Sequence, residues 1–234
     1  RNCMGQKAGD FFDVNGLFAQ TGRLILRVPV QDDLPSYIET FAPGLRDAYL
    51  QKDERGQKLR EGYWSDVVSD GSLFCTIVDI TSHKRLGFCC IEELVEDELE
   101  VGISLLPQWR GKGFGKEASQ AFMCGVERVA GPRPFIAKID ARNVASQCLF
   151  RGLGFVPAGV DTPIFSDPKL LALIEEQGLC LIDDRLRVLA QEFGVEARTL
   201  LSHVLVFRRD LNDFSACQYG GMRWPYACSR RRSL

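Results

Sequence analysis

Apolar and polar positions alternate along this chain with two different periods, which predict strands and helices in turn. A period of two, or a short apolar run between polar turns, predicts strands at residues 24–28, 72–80, 85–94, 99–105, 135–140 and 204–207. A seventh strand opens at Phe155, directly after a Gly-Leu-Gly turn.

The predicted strand at residues 99–105 alternates most regularly. One face carries Leu99, Val101, Ile103 and Leu105, and the other carries Glu100, Gly102 and Ser104. Such a strand has one face suited to burial and one face available for polar contacts.

Helical spacing of apolar residues separates the strands. Two helices are predicted between Asp32 and Tyr49, and a longer one follows a glycine-rich turn and ends near Ala130. A short helix follows Asn143, with Ala145, Cys148 and Leu149 predicted to face inward. Two or three further helical pieces are expected in residues 166–202.

These elements indicate one α/β (α+β) domain at residues 21–212, since 234 residues suffice for one large domain. We expect a mixed central sheet of six to seven strands flanked by helices, with a helical insertion at residues 166–202 before the last strand. Residues 1–20 are predicted to be a flexible N-terminal arm, and residues 213–234 an irregular tail.

Composition narrows the functional class. The chain is 45% hydrophobic, and none of its apolar runs reaches the roughly 20 residues that span a bilayer, so no membrane partner is predicted. A net charge of −2 argues against nucleic acid as the main partner. Nine cysteines without a C-x-x-C pair, and only two histidines, predict reduced thiols, a cytoplasmic location and no metal site.

The segment at residues 108–115, hereafter the glycine-rich loop, carries the clearest chemical signal. Three glycines in five residues let successive backbone N–H groups point at one spot, and the following helix start adds its positive dipole end. Arg110 and Lys112 add formal charge, so the loop is suited to a pyrophosphate. The Walker pattern fails because Glu117 follows Lys116, and the dinucleotide-binding glycine spacing fails as well.

The loop resembles the signature of the GNAT superfamily of acetyltransferases. That signature is Gln or Arg, two variable residues, Gly, one variable residue, and Gly or Ala, and Gln108, Gly111 and Gly113 match it. Downstream, Asn143-x-x-Ser146 and the Gly-Phe pair Gly154-Phe155 resemble the branch that includes the ribosomal-protein N-terminal acetyltransferases. The resemblance covers residues 22–160 and 202–210.

The resemblance implies acetyl-CoA as the acyl donor and a primary amine as the acceptor. In the family, backbone groups of the strand before the loop bind the pantetheine arm, and those of the loop bind the pyrophosphate. The matching residues here are Ile103, Ser104, Leu105, Arg110, Gly111, Lys112, Gly113, Phe114 and Gly115. Asn143 matches a residue that contacts the cofactor, but an Asn at this position is also a good helix N-cap.

Catalysis needs a neutral amine, a stabilised oxyanion and a proton for the leaving thiolate. Many family members place a tyrosine acid where this chain has Phe150. In the branch that the chain resembles, the serine of the N-x-x-S motif can lie near the thiol, so the resemblance implies Ser146 as the candidate acid. The position of a glutamate in some relatives is Lys138 here, so Glu100 is the first candidate base, with Glu92, Glu93 and Asp140 as alternatives. A water chain without a dedicated base is a further alternative. Cys148 as an acyl-accepting nucleophile is a further alternative, and its helical spacing favours core packing instead.

The insertion at residues 166–202 is longer than this branch usually has. We expect it to shape acceptor choice or to form a homodimer surface. The leading functional hypothesis is an N-acetyltransferase acting on a protein N-terminus, a peptide or a small molecule. The alternatives are an acetyltransferase of an antibiotic or aminoacyl-tRNA, and a catalytically inactive CoA-binding regulatory module.

Overall fold

The computed structural model describes residues 7–41, 44, 46–94, 97–162 and 167–210. The chain divides into two compact units, with the boundary in sequence between Arg133 and Pro134. Within the described residues, no helix is both long enough and apolar enough to cross a membrane.

The first unit is an antiparallel sheet of five strands in chain order, with helices packed against it. Its strands are β1 (Leu17–Gln20), β2 (Leu24–Arg27), β3 (Leu73–Asp79), β4 (Arg85–Ile91) and β5 (Leu99–Leu105). Its helices are α1 (Leu34–Phe41), α2 (Arg46–Leu50), α3 (Glu54–Val67) and α4 (Phe114–Ala130).

Three antiparallel strands form the sheet of the second unit, with β8 between β6 and β7. The strands are β6 (Phe135–Ile139), β7 (Val156–Asp161) and β8 (Val204–Arg209). The helices are α5 (Val144–Arg151), α6 (Pro168–Gly178) and α7 (Asp184–Phe193). The predicted α/β class and sheet flanked by helices are confirmed, and the described residues contain eight strands instead of six to seven.

Both faces of β3 and β4 are buried. On one face the Tyr37 ring of α1 stacks on Phe88 at a centroid distance of 4.5 Å, and Phe74 completes this aromatic cluster. On the other face Cys75 and Cys89 are fully buried. The nearly continuous apolar runs of these two strands are the sequence counterpart of this two-sided burial.

The additional strand lies in the segment predicted to be a flexible arm. Residues 8–11 form a 3₁₀ helix and residues 17–20 form β1, which pairs with β2. Phe18 packs on Phe122 of α4 at 5.3 Å, and Phe11 is buried. The described part of the segment is therefore folded, because its aromatic side chains are buried even though they follow no regular period.

Helix α3 has no counterpart among the predicted elements. Asp53 caps it by accepting a hydrogen bond from the Gly56 N–H at 2.8 Å. Only Gly56 and Val67 are buried in its 14 residues. A helix that buries so few side chains shows little apolar periodicity, so it is hard to recognise from sequence.

In α5 the inward face differs from the prediction. Gln147 and Phe150 are the buried residues, while Ala145 and Cys148 are exposed, so the predicted inward orientation of those two is wrong. Residues 167–202 are largely helical, as expected. The predicted tail at residues 213–234 lies outside the described residues.

Candidate active site

Strand β5 and the glycine-rich loop position the main group of predicted site residues. The Leu106 N–H donates to the Leu86 carbonyl oxygen of β4 at 2.8 Å. In an antiparallel strand, backbone groups point to alternate sides at successive residues, so those of Ser104 also face β4 and those of Ile103 and Leu105 face away from it. The strand geometry therefore separates Ser104 from Ile103 and Leu105.

Gly87 allows β4 and β5 to approach closely at this point. A Cβ added to Gly87 would lie 1.9 Å from the Ser104 carbonyl oxygen, which no side chain tolerates. The Ser104 side chain lies on the same face of the sheet as Phe88, its partner across the strands. This is the face that packs against α1.

After β5 the chain forms a 3₁₀ turn, Pro107–Trp109, and then the tight part of the loop. Gly111 and Gly113 have φ values of 72° and 80°, in the left-handed region that favours glycine. The two residues reverse the chain direction so that α4 begins at Phe114.

The start of α4 has no side-chain cap, and its geometry is suited to an anion. Its N-cap is Gly113, which has no side chain to accept a hydrogen bond, and the first N–H with an acceptor in the turn is that of Glu117, bonded to the Gly113 carbonyl oxygen at 3.2 Å. The N–H groups of Phe114, Gly115 and Lys116 have no acceptor within the helix. Together with the helix dipole they favour a negatively charged ligand.

Residues far away in sequence brace the loop. Arg23 donates from Nε to Glu117 Oε2 at 2.7 Å and from Nη1 to the Lys112 carbonyl oxygen at 3.2 Å. Its guanidinium lies 4.5 Å from the centroid of the Phe114 ring, and the Thr21 hydroxyl donates to Glu117 as well. Sequence reasoning missed Thr21, Arg23 and Glu117, because pairing over more than 90 positions leaves no local signal.

The basic side chains of the loop contact the protein itself. Arg110 Nε donates to the Leu105 carbonyl oxygen at 2.8 Å, at the end of β5. Lys112 Nζ lies 5.0 Å from the Trp109 ring centroid, a cation–π contact. Both charges remain next to the start of α4, where they increase the positive potential.

Glu100 is half-buried on β5, on the same face as Gly102 and Ser104. Gly102 pairs with Cys90, and a Cβ added to Gly102 would lie 2.7 Å from Cys90 Sγ. Burial raises the pKa of the Cys90 thiol, and the carboxylates of Glu92 and Glu100 raise it further. Two candidate bases therefore lie near one another on this face.

Asn143 and Ser146 lie in the second unit, at the start of α5. Asn143 is the N-cap, and its Oδ1 accepts a hydrogen bond from the Ser146 N–H at 3.1 Å. The capping interpretation of Asn143 is thus confirmed, and the Ser146 side chain lies in the first turn of the helix.

The departures from the family pattern have structural explanations. Phe150 is buried and packs edge-to-face on Phe155, with the ring centroids 5.0 Å apart. It is part of the hydrophobic core, and its side chain has no proton to donate. Lys138 pairs with Asp161 at 3.1 Å. Among the described residues, no group of three or more His, Cys, Asp or Glu side chains is placed to hold a metal ion.

Comparison with known proteins agrees with this geometry. A family model described as an acetyltransferase (GNAT) domain matches residues 23–156, more than half of the chain. No curated protein matches the sequence significantly.

Solved structures share the fold at low sequence identity. An acetyltransferase of the GNAT family from Bacillus anthracis has a TM-score of 0.54 at 13% identity, covering 82% of this chain and 98% of its own. The ribosomal-protein-S5-alanine acetyltransferase from Vibrio fischeri has a TM-score of 0.52 at 14% identity, covering 83% and 96%. A chimera of the spermidine N-acetyltransferase from Vibrio cholerae has a TM-score of 0.52 at 14% identity, covering 81% and 96%. The chain belongs to the GNAT acetyltransferase family.

Proposed function

We propose that this protein is an N-acetyltransferase that transfers the acetyl group of acetyl-CoA to a primary amine of a protein N-terminus, a peptide or a small molecule. The observation that supports it most is the glycine-rich loop, where two left-handed glycines precede an uncapped helix start. That arrangement is suited to the pyrophosphate of the donor.

In this proposal the glycine-rich loop and β5 bind different parts of the donor. Backbone N–H groups of residues 110–115 bind the pyrophosphate. Backbone groups of Ile103, which point away from β4, bind the pantetheine arm, and Leu105 contacts the acetyl end of the donor. Ser104 contributes through its side chain, because its backbone groups face β4, and Asn143 is proposed to contact the cofactor in addition to capping α5.

The chemical step forms the bond between the amine nitrogen and the acetyl carbon and breaks the bond between that carbon and sulfur. We assign Glu100 to accept the proton that the amine releases and Ser146 to donate a proton to the departing thiolate. The backbone N–H of Leu105 is assigned to the oxyanion, because it points away from β4.

The proposed acceptor is a primary amine, and several classes of amine fit it. Relatives by fold include enzymes whose names specify a ribosomal protein and spermidine, both of which offer a primary amine. A thiol-release assay with acetyl-CoA and a panel of N-terminal peptides, polyamines and aminoglycosides tests this. Bound CoA without turnover on any amine would favour a regulatory binding module instead.

A substitution in the loop tests the donor assignment. Gly113→Asp places a carboxylate where the pyrophosphate is proposed to bind, so we expect CoA affinity to fall on the order of 100-fold, measured by calorimetry. Gly194→Asp is the matched control, since Gly194 is also left-handed (φ 67°, ψ 30°) at a helix end, and an added Cβ would meet no atom within 4 Å. Equal CoA affinity in both variants would contradict the assignment.

A further inference from the structure

An open pocket in the first unit lies beside the glycine-rich loop and has no assigned role. Its volume is about 530 Å³. The end of β2, the start of α1, the turn between β3 and β4, and the turn Pro107–Trp109 line it. The side chains that matter for its chemistry are Arg27, His83, Lys84, Arg85, Gln108 and Trp109.

The pocket is basic. Arg27, Lys84 and Arg85 contribute three formal positive charges. Among the residues that the structure describes, the one carboxylate that pairs with this set is that of Asp33. Lys84 is exposed, in the turn after His83, which has a positive φ of 55°.

The buried carboxylate of Asp33 holds Arg27 and Arg85 in place. Asp33 is fully buried and accepts hydrogen bonds from Arg27 Nη1 and Nη2 at 2.7 and 2.8 Å. It also forms an ion pair with Arg85, whose Nε lies 2.5 Å from Asp33 Oδ1. The Thr76 hydroxyl at 2.8 Å and the Val30 N–H at 2.9 Å hold the same carboxylate. The guanidinium groups are therefore oriented before any ligand binds, and each has more N–H donors than Asp33 engages.

Gln108 and Trp109 connect the pocket to the loop. They line the pocket and also begin the glycine-rich loop, whose residues 110–115 we propose to bind the pyrophosphate. In CoA the ribose next to the pyrophosphate carries a phosphomonoester at its 3′ position. A phosphomonoester has two negative charges and several acceptor oxygens, which suits an arginine and lysine site.

We infer that this pocket binds the 3′-phosphate of the CoA donor, with Lys84, Arg85 and Arg27 supplying the positive charge. The inference rests on the proposed function, because it requires that CoA occupies the loop. It adds the residues by which this chain distinguishes CoA from its 3′-dephospho form.

The test compares CoA with 3′-dephospho-CoA in calorimetric titrations. We expect the wild-type protein to bind CoA about tenfold more tightly, since hydrogen bonds to charged groups contribute that much. Lys84→Ala should reduce the preference to about threefold and Lys84→Glu should abolish it, with the affinity for dephospho-CoA unchanged. Lys58→Ala is the matched control, an exposed lysine on α3, and should keep the full preference.

Lys84 is exposed and does not contact Asp33, so these variants should unfold at the wild-type temperature. If Lys84→Glu lowers the affinity for CoA and for 3′-dephospho-CoA equally, the pocket does not bind the 3′-phosphate and the inference is wrong. It is also wrong if the CoA preference is unchanged while the KM of a phosphorylated acceptor rises, because the phosphate would then belong to the acceptor. If the wild-type protein binds neither CoA form, the proposed function itself fails.

Discussion

Asp33 is the residue on which the charge arrangement of the first unit depends most. Burial alone would raise the pKa of its carboxyl group, but hydrogen bonds from Arg27, the Val30 N–H and Thr76 outweigh burial and leave the pKa below the usual value. Asp33 is therefore ionised at neutral pH. It links β2, β3 and the start of α1 through charge-assisted hydrogen bonds, and β4 through its ion pair with Arg85.

We expect Asp33→Asn to lower the free energy of unfolding by about 3 kcal/mol at pH 7, because two guanidinium groups lose their buried counter-charge. Urea denaturation measures the change. Asp70→Asn, which removes an exposed partner of Lys7, is the control and should change stability little.

The difference in unfolding free energy between the wild-type protein and Asp33→Asn should depend on pH. Since the folded-state pKa of Asp33 is depressed, its contribution is fully present above the unfolded value of about 3.9 and is lost as pH falls through the folded-state pKa. The difference in stability between wild type and Asp33→Asn should therefore shrink below about pH 4. A difference that stays constant down to pH 2 would contradict this account.

At the scale of elements, the N-terminus of α5 combines two proposed roles within four residues. Asn143 caps the helix, and Ser146 is the proposed acid. Substitutions can separate the roles, because Asp caps helices about as well as Asn, whereas Ala does not cap them.

We expect Asn143→Ala to cost about 1 kcal/mol of stability and Asn143→Asp to cost little, as measured by thermal denaturation. If Asn143 also contacts the cofactor, Asn143→Asp should weaken CoA binding although it preserves stability. Unchanged CoA affinity in Asn143→Asp would show that Asn143 caps α5 and does not contact the cofactor.

Ser146→Ala should lower kcat about 100-fold with CoA affinity retained if the hydroxyl is the acid.

At the scale of the whole molecule, the helical insertion is the part that we predict to distinguish this chain from the branch it resembles. Its helix α7 is integrated into the second unit: Phe193 packs edge-to-face on Phe207 of β8 at 5.2 Å, and Arg151 of α5 pairs with Glu192. Deleting residues 166–195 would expose Phe207, so substitutions at the surface are the better test. Leu179 and Leu181 are more than half exposed between α6 and α7.

Replacing Leu179 and Leu181 with Ser should change the relative rates across the amine panel while CoA affinity stays at the wild-type value. The physical reason is that exposed leucines are available to a bound acceptor or a second copy of the chain, and Ser removes that apolar contact. Sedimentation of both proteins shows whether the effect follows a change in oligomeric state. Identical amine profiles and identical sedimentation would contradict a role of this surface in acceptor choice or dimerisation.

The sequence by itself determined the family, the strand β5 and the glycine-rich loop. These features are local: a period of two in residues 99–105, three glycines in five positions, and a helix directly afterwards. It also indicated that Phe150 cannot act as an acid. Local features are readable because the residues that create them are neighbours in the chain.

Only the tertiary structure decided what surrounds the loop. Arg23 and Glu117 brace it across 94 positions, and Asp33 gathers Arg27, Thr76 and Arg85 from separate elements. The folded β1 and the weakly amphipathic α3 were decided in the same way, by packing rather than by periodicity. Long-range pairs of this kind leave no spacing rule in the sequence, because the fold, not the chain order, brings the partners together.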